Sequence, residues 1–241
     1  MIRLLDVFFS VIGILLLSPL LLIIGILIKL TSKGPFLYKQ ERVGYFNSNF
    51  EVLKFRTMKV NSDKLGLLTV GGRDPRITKI GFYLRKYKLD ELPQLFNVLS
   101  GKMCLVGPRP EVRKYVNLYT LEQQKILTIK PGITDISSIV FADLNTILSQ
   151  SKDANLDYNQ LVRPWKSRLV LIYVQNRNFF LDIQLIFLTV FNIFFRKLTL
   201  KLTQKIVAKF SSDHLLIQIS GREIVLFPYP PPGSDDIVKQ R

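Results

Sequence analysis

Residues 7–28, VFFSVIGILLLSPLLLIIGILI, carry no charged side chain. As a helix at about 1.5 Å per residue the stretch is roughly 33 Å long, the thickness of a bilayer's hydrocarbon core. Its length, and the lack of a small-x-small site after it, separate it from a cleavable leader, so the expectation is a retained anchor. Ser18 and Pro19 sit near its middle. Pro19 has no amide for the Leu15 carbonyl and its ring crowds that turn, which predicts a kink. The Ser18 hydroxyl can bond back to a nearby carbonyl and soften the loss. Arg3 precedes the segment and Lys29 and Lys33 follow it, so positive charge gives no reason to send either end across. Two forms satisfy these facts: a re-entrant helix-break-helix with both ends on the cytoplasmic face, and a plain kinked transmembrane helix.

A second apolar run, residues 169–195, is interrupted by Arg177 and Asp182, and its uncharged remainder, 183–195, is 13 residues long. That is too short to span. Phe187, Phe191, Phe194 and Phe195 recur at helical spacing and Arg196-Lys197 follows, the pattern of a helix lying in the headgroup plane; a buried core helix would share the spacing.

Charge narrows the chemistry. With 34 Lys+Arg against 18 Asp+Glu, the net charge is +16, which favours polyanionic company: nucleic acid, anionic lipid or phosphorylated substrates. No aromatic-basic platform or recognition motif supports nucleic acid, and no such partner is expected. A single Cys104 and a single His214 exclude an intramolecular disulfide and cysteine- or histidine-rich metal clusters, and His214, far in sequence from every motif, speaks against Ser-His or Cys-His nucleophiles. Cys104, in the apolar run MCLV, reads as a small core residue. Acid-base or nucleophilic work therefore falls to carboxylates, lysines or tyrosines.

The soluble remainder reads as a mixed, helix-rich α/β fold. PFLYKQERVGYFNSNFEVLKFRTM gives two β-type runs around a Gly/Asn/Ser turn, a hairpin. Residues 60–75 are polar and glycine-rich, the composition of a mobile loop. Thr78 is a candidate N-cap for a helix with Ile80, Leu84 and Tyr87 on one face. Leu92, Leu95, Phe96 and Leu99 restart the pattern, with Pro93 in the first turn and Gly101 as the stop. Residues 103–106 form a short strand, GPRP a rigid turn, 111–128 a helical region, and KPGITDISS a turn. In the tail, LLIQISGREIVLF reads as a possible hairpin and PYPPPG as extended chain.

The stretch KLDELPQL places Asp90 and Glu91 at a helix start, where free amides and the helix dipole favour negative charge. A cap is the structural reading. Nearby in sequence stand Lys54 and Arg56 in KFRTM, then Arg73, Arg76, Arg85, Lys86 and Arg109, several in turns where phosphate-binding groups concentrate. A carboxylate pair among arginines can hold a divalent metal against a diphosphate, or one carboxylate can attack phosphorus while arginines neutralise the developing charge.

Seven blocks occur in order: the Ser18-Pro19 anchor, QERVG, KFRTM, DPRITKIG, LRKYKLDELPQLFNVLSGKM, LVGPRP and KPGIT. Through them the chain, to about Lys197, resembles the bacterial sugar transferases known as monotopic phosphoglycosyl transferases. The resemblance implies a two-step reaction. The carboxylate matching Asp90 attacks the sugar-bearing phosphate of a UDP-sugar, UMP leaves, and a polyprenol phosphate, usually undecaprenyl phosphate, takes the phosphosugar. It implies Mg2+ with the Asp90-Glu91 dyad, phosphate-binding roles for Arg85 and Lys54 with Arg56 in the same block, and a nucleotide-side role for Pro108, Arg109 and Pro110. It favours the re-entrant form of the anchor, at the bacterial inner membrane with the catalytic domain on the cytoplasmic face. The implied division is residues 1–33 anchor, 34–197 catalytic domain with an interfacial amphipathic helix near 179–197, and 198–241 an extension of unassigned role. Membrane lipid is an implied partner; the oligomeric state stays open, a homo-oligomer included.

Two departures stand out. Gly101-Lys102-Met103-Cys104 occupies the place of a common Gly-Asp-Met-Ser, and Asp135-Ile136-Ser137 follows PGIT in place of a glycine-containing version, so the sugar cannot be copied from common members. A catalytically silent scaffold of a glycan-assembly complex is the alternative; retention of Asp90, Glu91, Arg85 and Arg109 speaks against it.

Overall fold

The computed structural model describes residues 2–60, 62, 74–149 and 151–239. The polar loop expected at 60–75, Arg73 included, lies for the most part outside the described residues.

The uncharged segment forms α1 (Ile2–Thr31), long and apolar enough to cross a membrane, with most of its apolar side chains on the outside. Pro19 lies inside α1, and helix continues on both sides of it. The Ser18 hydroxyl donates to the Leu15 carbonyl at 2.8 Å, the acceptor that Pro19 leaves without an amide, and this repairs the ladder locally. Both halves of α1 are tied to the rest of the chain. The Arg3 guanidinium donates to the Val98 and Leu99 carbonyls at 2.6 and 2.8 Å, and Asp6 accepts from the Leu105 amide at 2.9 Å. Towards the other end, Ile24 and Ile28 are buried with Phe55 and Leu84.

The hairpin is as read: β1 (Leu37–Val43) pairs antiparallel with β2 (Asn49–Phe55), from Leu37 opposite Phe55 to Val43 opposite Asn49. Next comes α2 (Lys79–Lys86), whose N-cap is Thr78, its hydroxyl accepting from the Gly81 amide at 3.0 Å. α3 (Gln94–Leu99) begins after Pro93 and ends before Gly101, which has φ +78° and so uses the left-handed freedom of glycine. Asn97 locks α3 to the hairpin, its amide donating to the Glu51 carbonyl and its carbonyl accepting from the Leu53 amide.

β3 (Cys104–Val106) appears as expected, and Cys104 is buried, burial pushing its thiol up to about 11. KPGITDISS is more than a turn. Gly132–Thr134 forms β4, parallel to β3, and Asp135 caps a further helix. The close approach depends on two glycines: a Cβ on Gly132 would stand 2.1 Å from the Gly107 amide nitrogen, and one on Gly107 2.5 Å from the Lys130 carbonyl. Gly132→Ala is therefore expected to cost about 2–3 kcal/mol and to lower the thermal midpoint by roughly 5–10 °C. An unchanged midpoint in a melting scan would contradict this packing.

Residues 111–128 are helical only in short pieces, α4 (Arg113–Val116), α5 (Leu121–Gln124) and a 3-10 turn at Lys125–Thr128. Then follow α6 (Ile136–Val140), α7 (Leu144–Ile147), α8 (Ala154–Asp157), α9 (Arg163–Asn176), α10 (Phe179–Phe194), α11 (Arg196–Phe210) and α12 (His214–Gly221). The main core joins α6, α9, α10, α11 and α12 around Trp165, Leu169 and Tyr173. α10 buries Leu181, Leu185 and Leu188 on one face, as a core helix does, and leaves Phe180 76% and Phe187 68% exposed on the other. The tail hairpin is a misreading. Asp213 accepts from the Leu216 amide as an N-cap, and Leu216 and Ile219 bury one helical face. Beyond α12 the chain lies along α9: Tyr229 stacks on Trp165 with centroids 4.3 Å apart, and Arg168 donates to the Pro230 carbonyl at 2.8 Å.

Candidate active site

Asp90 and Glu91 lie in a single 3-10 turn, Leu89–Glu91, entered through Lys88 at φ 58° and left through Leu92 and Pro93. Neither carboxylate caps α3, whose N-cap position is Pro93 with no side-chain hydrogen bond. The dyad precedes the helix by a turn of its own, because Pro93 fixes where the helix can begin and the left-handed Lys88 reverses the chain before it.

The two carboxylates differ sharply in partners. Glu91 receives both ends of the Arg109 guanidinium, Nη1 on Oε2 at 2.9 Å and Nη2 on Oε1, and the Lys54 ammonium on Oε1 at 3.3 Å. Burial alone would raise its carboxyl, but the charges of Arg109 and Lys54 outweigh that and hold it well below the usual range. Asp90 is 9% exposed, and among the described residues nothing hydrogen-bonds to its carboxylate. Burial, then the adjacent Glu91 charge, raise Asp90 above its ordinary value, against the pull of Lys54, Arg85 and Lys88. A buried carboxylate with its lone pairs unclaimed has the chemistry to attack phosphorus or to ligate a metal.

The cations come from separate elements. Lys54 stands near the end of β2, opposite Tyr38 on β1, and burial pushes its ammonium down to about 8 despite Glu91. Arg85, in the last turn of α2, has Asp90 as its strongest opposite charge. Arg109 is held by its backbone as well as its head, its amide donating to Asp135 Oδ2 at 3.1 Å. The pull of Glu91 raises its guanidinium further. Pro108 and Pro110 fix that turn; Pro108 and Arg109 line a narrow pocket with Glu111, Asp135, Tyr158 and Lys166, and Pro110 lines a smaller one beside it. Arg56 is not brought into the cluster. Its guanidinium donates to the Ser32 carbonyl and hydroxyl at 2.8 and 2.7 Å, below Gly34, and holds the end of α1. Ser18 and Pro19 lie in α1, where the Ser18 hydroxyl is spent on the Leu15 carbonyl.

Asp135 was read from the sequence only as a departure after PGIT, with no part in the site. Its Oδ1 accepts from the Ser138 amide and the Ser137 hydroxyl while Oδ2 fixes Arg109, so one carboxylate caps α6 and sets the arginine that grips Glu91. The signal was present as an Asp three residues ahead of Ser138, the spacing of an N-cap. Glu111, Tyr158, Arg163 and Lys166 on the pocket wall had no local signal.

The family described as bacterial sugar transferase matches residues 1–196, from the start of α1 to the start of α11. This chain belongs to that family. Over 198 residues it is 37% identical to the UDP-glucose:undecaprenyl-phosphate glucose-1-phosphate transferase of Klebsiella pneumoniae, covering 81% of this chain and 40% of that protein. It is 36% identical over 188 residues to the UDP-N-acetylgalactosamine-undecaprenyl-phosphate N-acetylgalactosaminephosphotransferase of Aeromonas hydrophila, covering 77% and 41%. The UDP-glucose:undecaprenyl-phosphate glucose-1-phosphate transferase of Escherichia coli strain K12 is 34% identical over 201 residues, covering 80% and 40%. The aligned part is thus about two-fifths of the length of these relatives. For the family member described here, α12 and the chain that follows it lie beyond the family match.

Proposed function

We propose that this chain transfers a sugar-1-phosphate from a UDP-sugar to a polyprenol phosphate of the undecaprenyl type, releasing UMP, as the first membrane step in assembling a surface polysaccharide or glycoconjugate. The observation that carries the reading is the asymmetry of the dyad: Glu91 is clamped by Arg109 and Lys54, and Asp90 beside it is buried and unbonded. Asp90 attacks the sugar-bearing phosphorus. The bond from that phosphorus to the bridging oxygen breaks, its electron pair leaving with UMP, and a phosphosugar remains on the Asp90 carboxylate. An oxygen of the polyprenol phosphate then attacks the same phosphorus and the acyl-phosphate bond breaks, restoring Asp90. Arg109, Lys54 and Arg85 offset the charge on the phosphoryl oxygens through both steps.

The donor set fits a hard divalent cation such as Mg2+. A carboxylate has about four lone-pair sites, and Glu91 has three taken by Arg109 and Lys54, while Asp90 has all of its own. Asp90 and Glu91 would hold the ion together with the diphosphate, as Mg2+ sites with few protein ligands do, and the ion would supply further charge neutralisation.

The ties of α1 support a re-entrant placement at the cytoplasmic face of a bacterial inner membrane. The ends of a spanning helix lie on opposite sides of a core about 30 Å thick. Here Arg3 and Asp6 bind α3 and β3, and Ile24 and Ile28 pack on β2 and α2, all parts of one domain. The exposed middle of α1, with Leu15 66% and Leu16 75% exposed, and the outer phenylalanines of α10 then meet lipid. A cysteine placed at position 2 is expected to react with an impermeant maleimide in inside-out vesicles and not in intact spheroplasts; the reverse would mean a span.

The function is tested by incubating the purified protein in nanodiscs with Mg2+, undecaprenyl phosphate and a panel of UDP-sugars, with UMP as the readout. Release with at least one sugar is expected, and none with any would defeat the assignment. A pH series adds a second check. Lys54 is a cation below about 8 and neutral above, so kcat/KM is expected to fall on an alkaline limb near that value. Lys54→Arg should move the limb upward by at least one pH unit, and a limb that stays put would clear Lys54 of the role.

A further inference from the structure

One long surface of the chain carries positive charge with no counter-charge of its own. α11 buries Thr199, Thr203 and Val207 on its inner side and turns Lys197, Lys201, Lys205 and Lys209 outward. At i, i+4 spacing the four ammoniums follow one slowly turning stripe about 18 Å long. Between Asp182 and Asp213 the sequence has no acidic residue, and among the described residues none of the four lysines enters an ion pair. Arg196, by contrast, turns inward, onto the Ile139 and Val140 carbonyls and Asp143. Like charges four residues apart weaken a helix, and a solvated helix face relieves this with acids at the same spacing. α11 has none.

The outward side also carries Leu198 and Leu202, both exposed, and Phe194 and Phe195 stand exposed where α10 meets α11. α11 therefore offers cations and apolar side chains together, continuous with the outer phenylalanines of α10. A polyanion in solution, such as nucleic acid, would answer the lysines and leave the leucines and phenylalanines in water. A phospholipid surface answers both, with phosphates on the ammoniums and acyl chains on the apolar groups. We infer that α11 docks on anionic phospholipid headgroups, its axis in the membrane plane, with Lys197, Lys201, Lys205 and Lys209 as the headgroup contacts. The inference rests on the membrane placement of α1 and α10 proposed above, not on the transfer chemistry. It adds a selectivity for lipid charge, carried by a helix that lies, but for its first residue, beyond the family match. At about fivefold per lysine, the stripe shifts docking by about 10²–10³-fold between neutral and anionic membranes.

The test uses the full chain in nanodiscs of phosphatidylcholine, alone or mixed with an equal part of phosphatidylglycerol. An environment-sensitive fluorophore is attached in separate samples through Ala208→Cys, on the exposed side of α11 next to Lys209, and through Leu16→Cys in the exposed middle of α1; Cys104 is buried. The α1 probe is expected to emit from an apolar setting in both lipids, and the α11 probe only in the mixed one. Salt at about 1 M, where the Debye length is about 3 Å, should return the α11 probe to aqueous emission. Lys197→Gln, Lys201→Gln, Lys205→Gln and Lys209→Gln combined should do the same, and should leave the thermal midpoint in detergent unchanged or higher because the repulsion along the stripe is gone. An α11 probe that stays aqueous in both lipids overturns the inference and leaves the face to solvent or a soluble polyanion. One that shifts equally in both overturns it by removing the lysines' part. Should the combined variant fail to fold, the lipid and salt comparisons on Ala208→Cys decide the matter alone. If the Leu16→Cys probe also stays aqueous, the membrane placement beneath falls and this inference with it. An α1 probe in lipid beside an α11 probe in water removes the inference alone.

Discussion

Replacing Asp90 by asparagine is expected to reduce UMP release by at least about three orders of magnitude while leaving the thermal midpoint unchanged or slightly higher. The two halves of that result have one cause. The Asp90 carboxylate makes no hydrogen bond among the described residues, and its burial disfavours the charged form. Above its raised folded pKa, the charge therefore weakens the fold relative to an ordinary aspartate, and the neutral, isosteric asparagine relieves this. Activity is lost because the amide is a poor nucleophile, not because the site collapses. Asp90→Glu should also fail, since one more methylene displaces the attacking oxygen from a site whose Arg109 and Lys54 stay fixed on Glu91. A stable, active Asp90→Asn protein would remove Asp90 from the chemistry.

Arg109 is the second position where a large effect is expected, and there activity and stability should fall together. Arg109→Met leaves Glu91 with Lys54 as its only ion-pair partner and removes the positive charge next to the attacked phosphorus. Loss of about 10²–10³-fold in UMP release is expected, with a stability cost of about 2 kcal/mol from the carboxylate left under-paired. Arg109→Lys should recover little, because Glu91 is gripped by two guanidinium nitrogens at once and an ammonium cannot reproduce the fork. Single-turnover UMP release and a melting scan read the two effects. A fully active Arg109→Lys would mean that the fork is not used in catalysis.

What could be read from residues alone tracks how local each cause is. The β1–β2 hairpin, the Thr78 cap and the Gly101 stop follow from turn chemistry and periodicity within a few residues, and each stands where expected. The Ser18 hydroxyl takes up the Leu15 carbonyl that Pro19 orphans, as its neighbouring position in the sequence leads one to expect, and helix continues past both residues. β4 is three residues long and exists because Gly107 and Gly132 let two backbones meet across some twenty-five residues of sequence, which no local pattern announces. α12 carries β-branched residues in a short run, which suits a strand, but the Asp213 cap and the spacing of Leu216 and Ile219 give a helix.

The site divides in the same way. Asp90, Glu91, Lys54, Arg85 and Arg109 could be named from motifs, but not the pairing that makes Glu91 a clamp and leaves Asp90 open. That pairing needs β2, the 3-10 turn and the Arg109 turn assembled in space. Arg56, two residues from Lys54 in the same motif, is drawn instead to the end of α1 by the Ser32 carbonyl. The pocket behind Arg109 draws on α6 and α9 as well as the turn, and its cations emerge only once those elements pack.

The central claim is that the phosphosugar rests on Asp90 between the two half-reactions, and intact-protein mass spectrometry tests it most directly. The purified protein would be mixed with Mg2+ and its UDP-sugar, with no polyprenol phosphate present, and quenched within seconds. A mass increase equal to the sugar-phosphate, mapped to the peptide that holds Asp90 and missing from Asp90→Asn, is the predicted result. UMP released only when the lipid is present, with no adduct on the protein at any time, would contradict it.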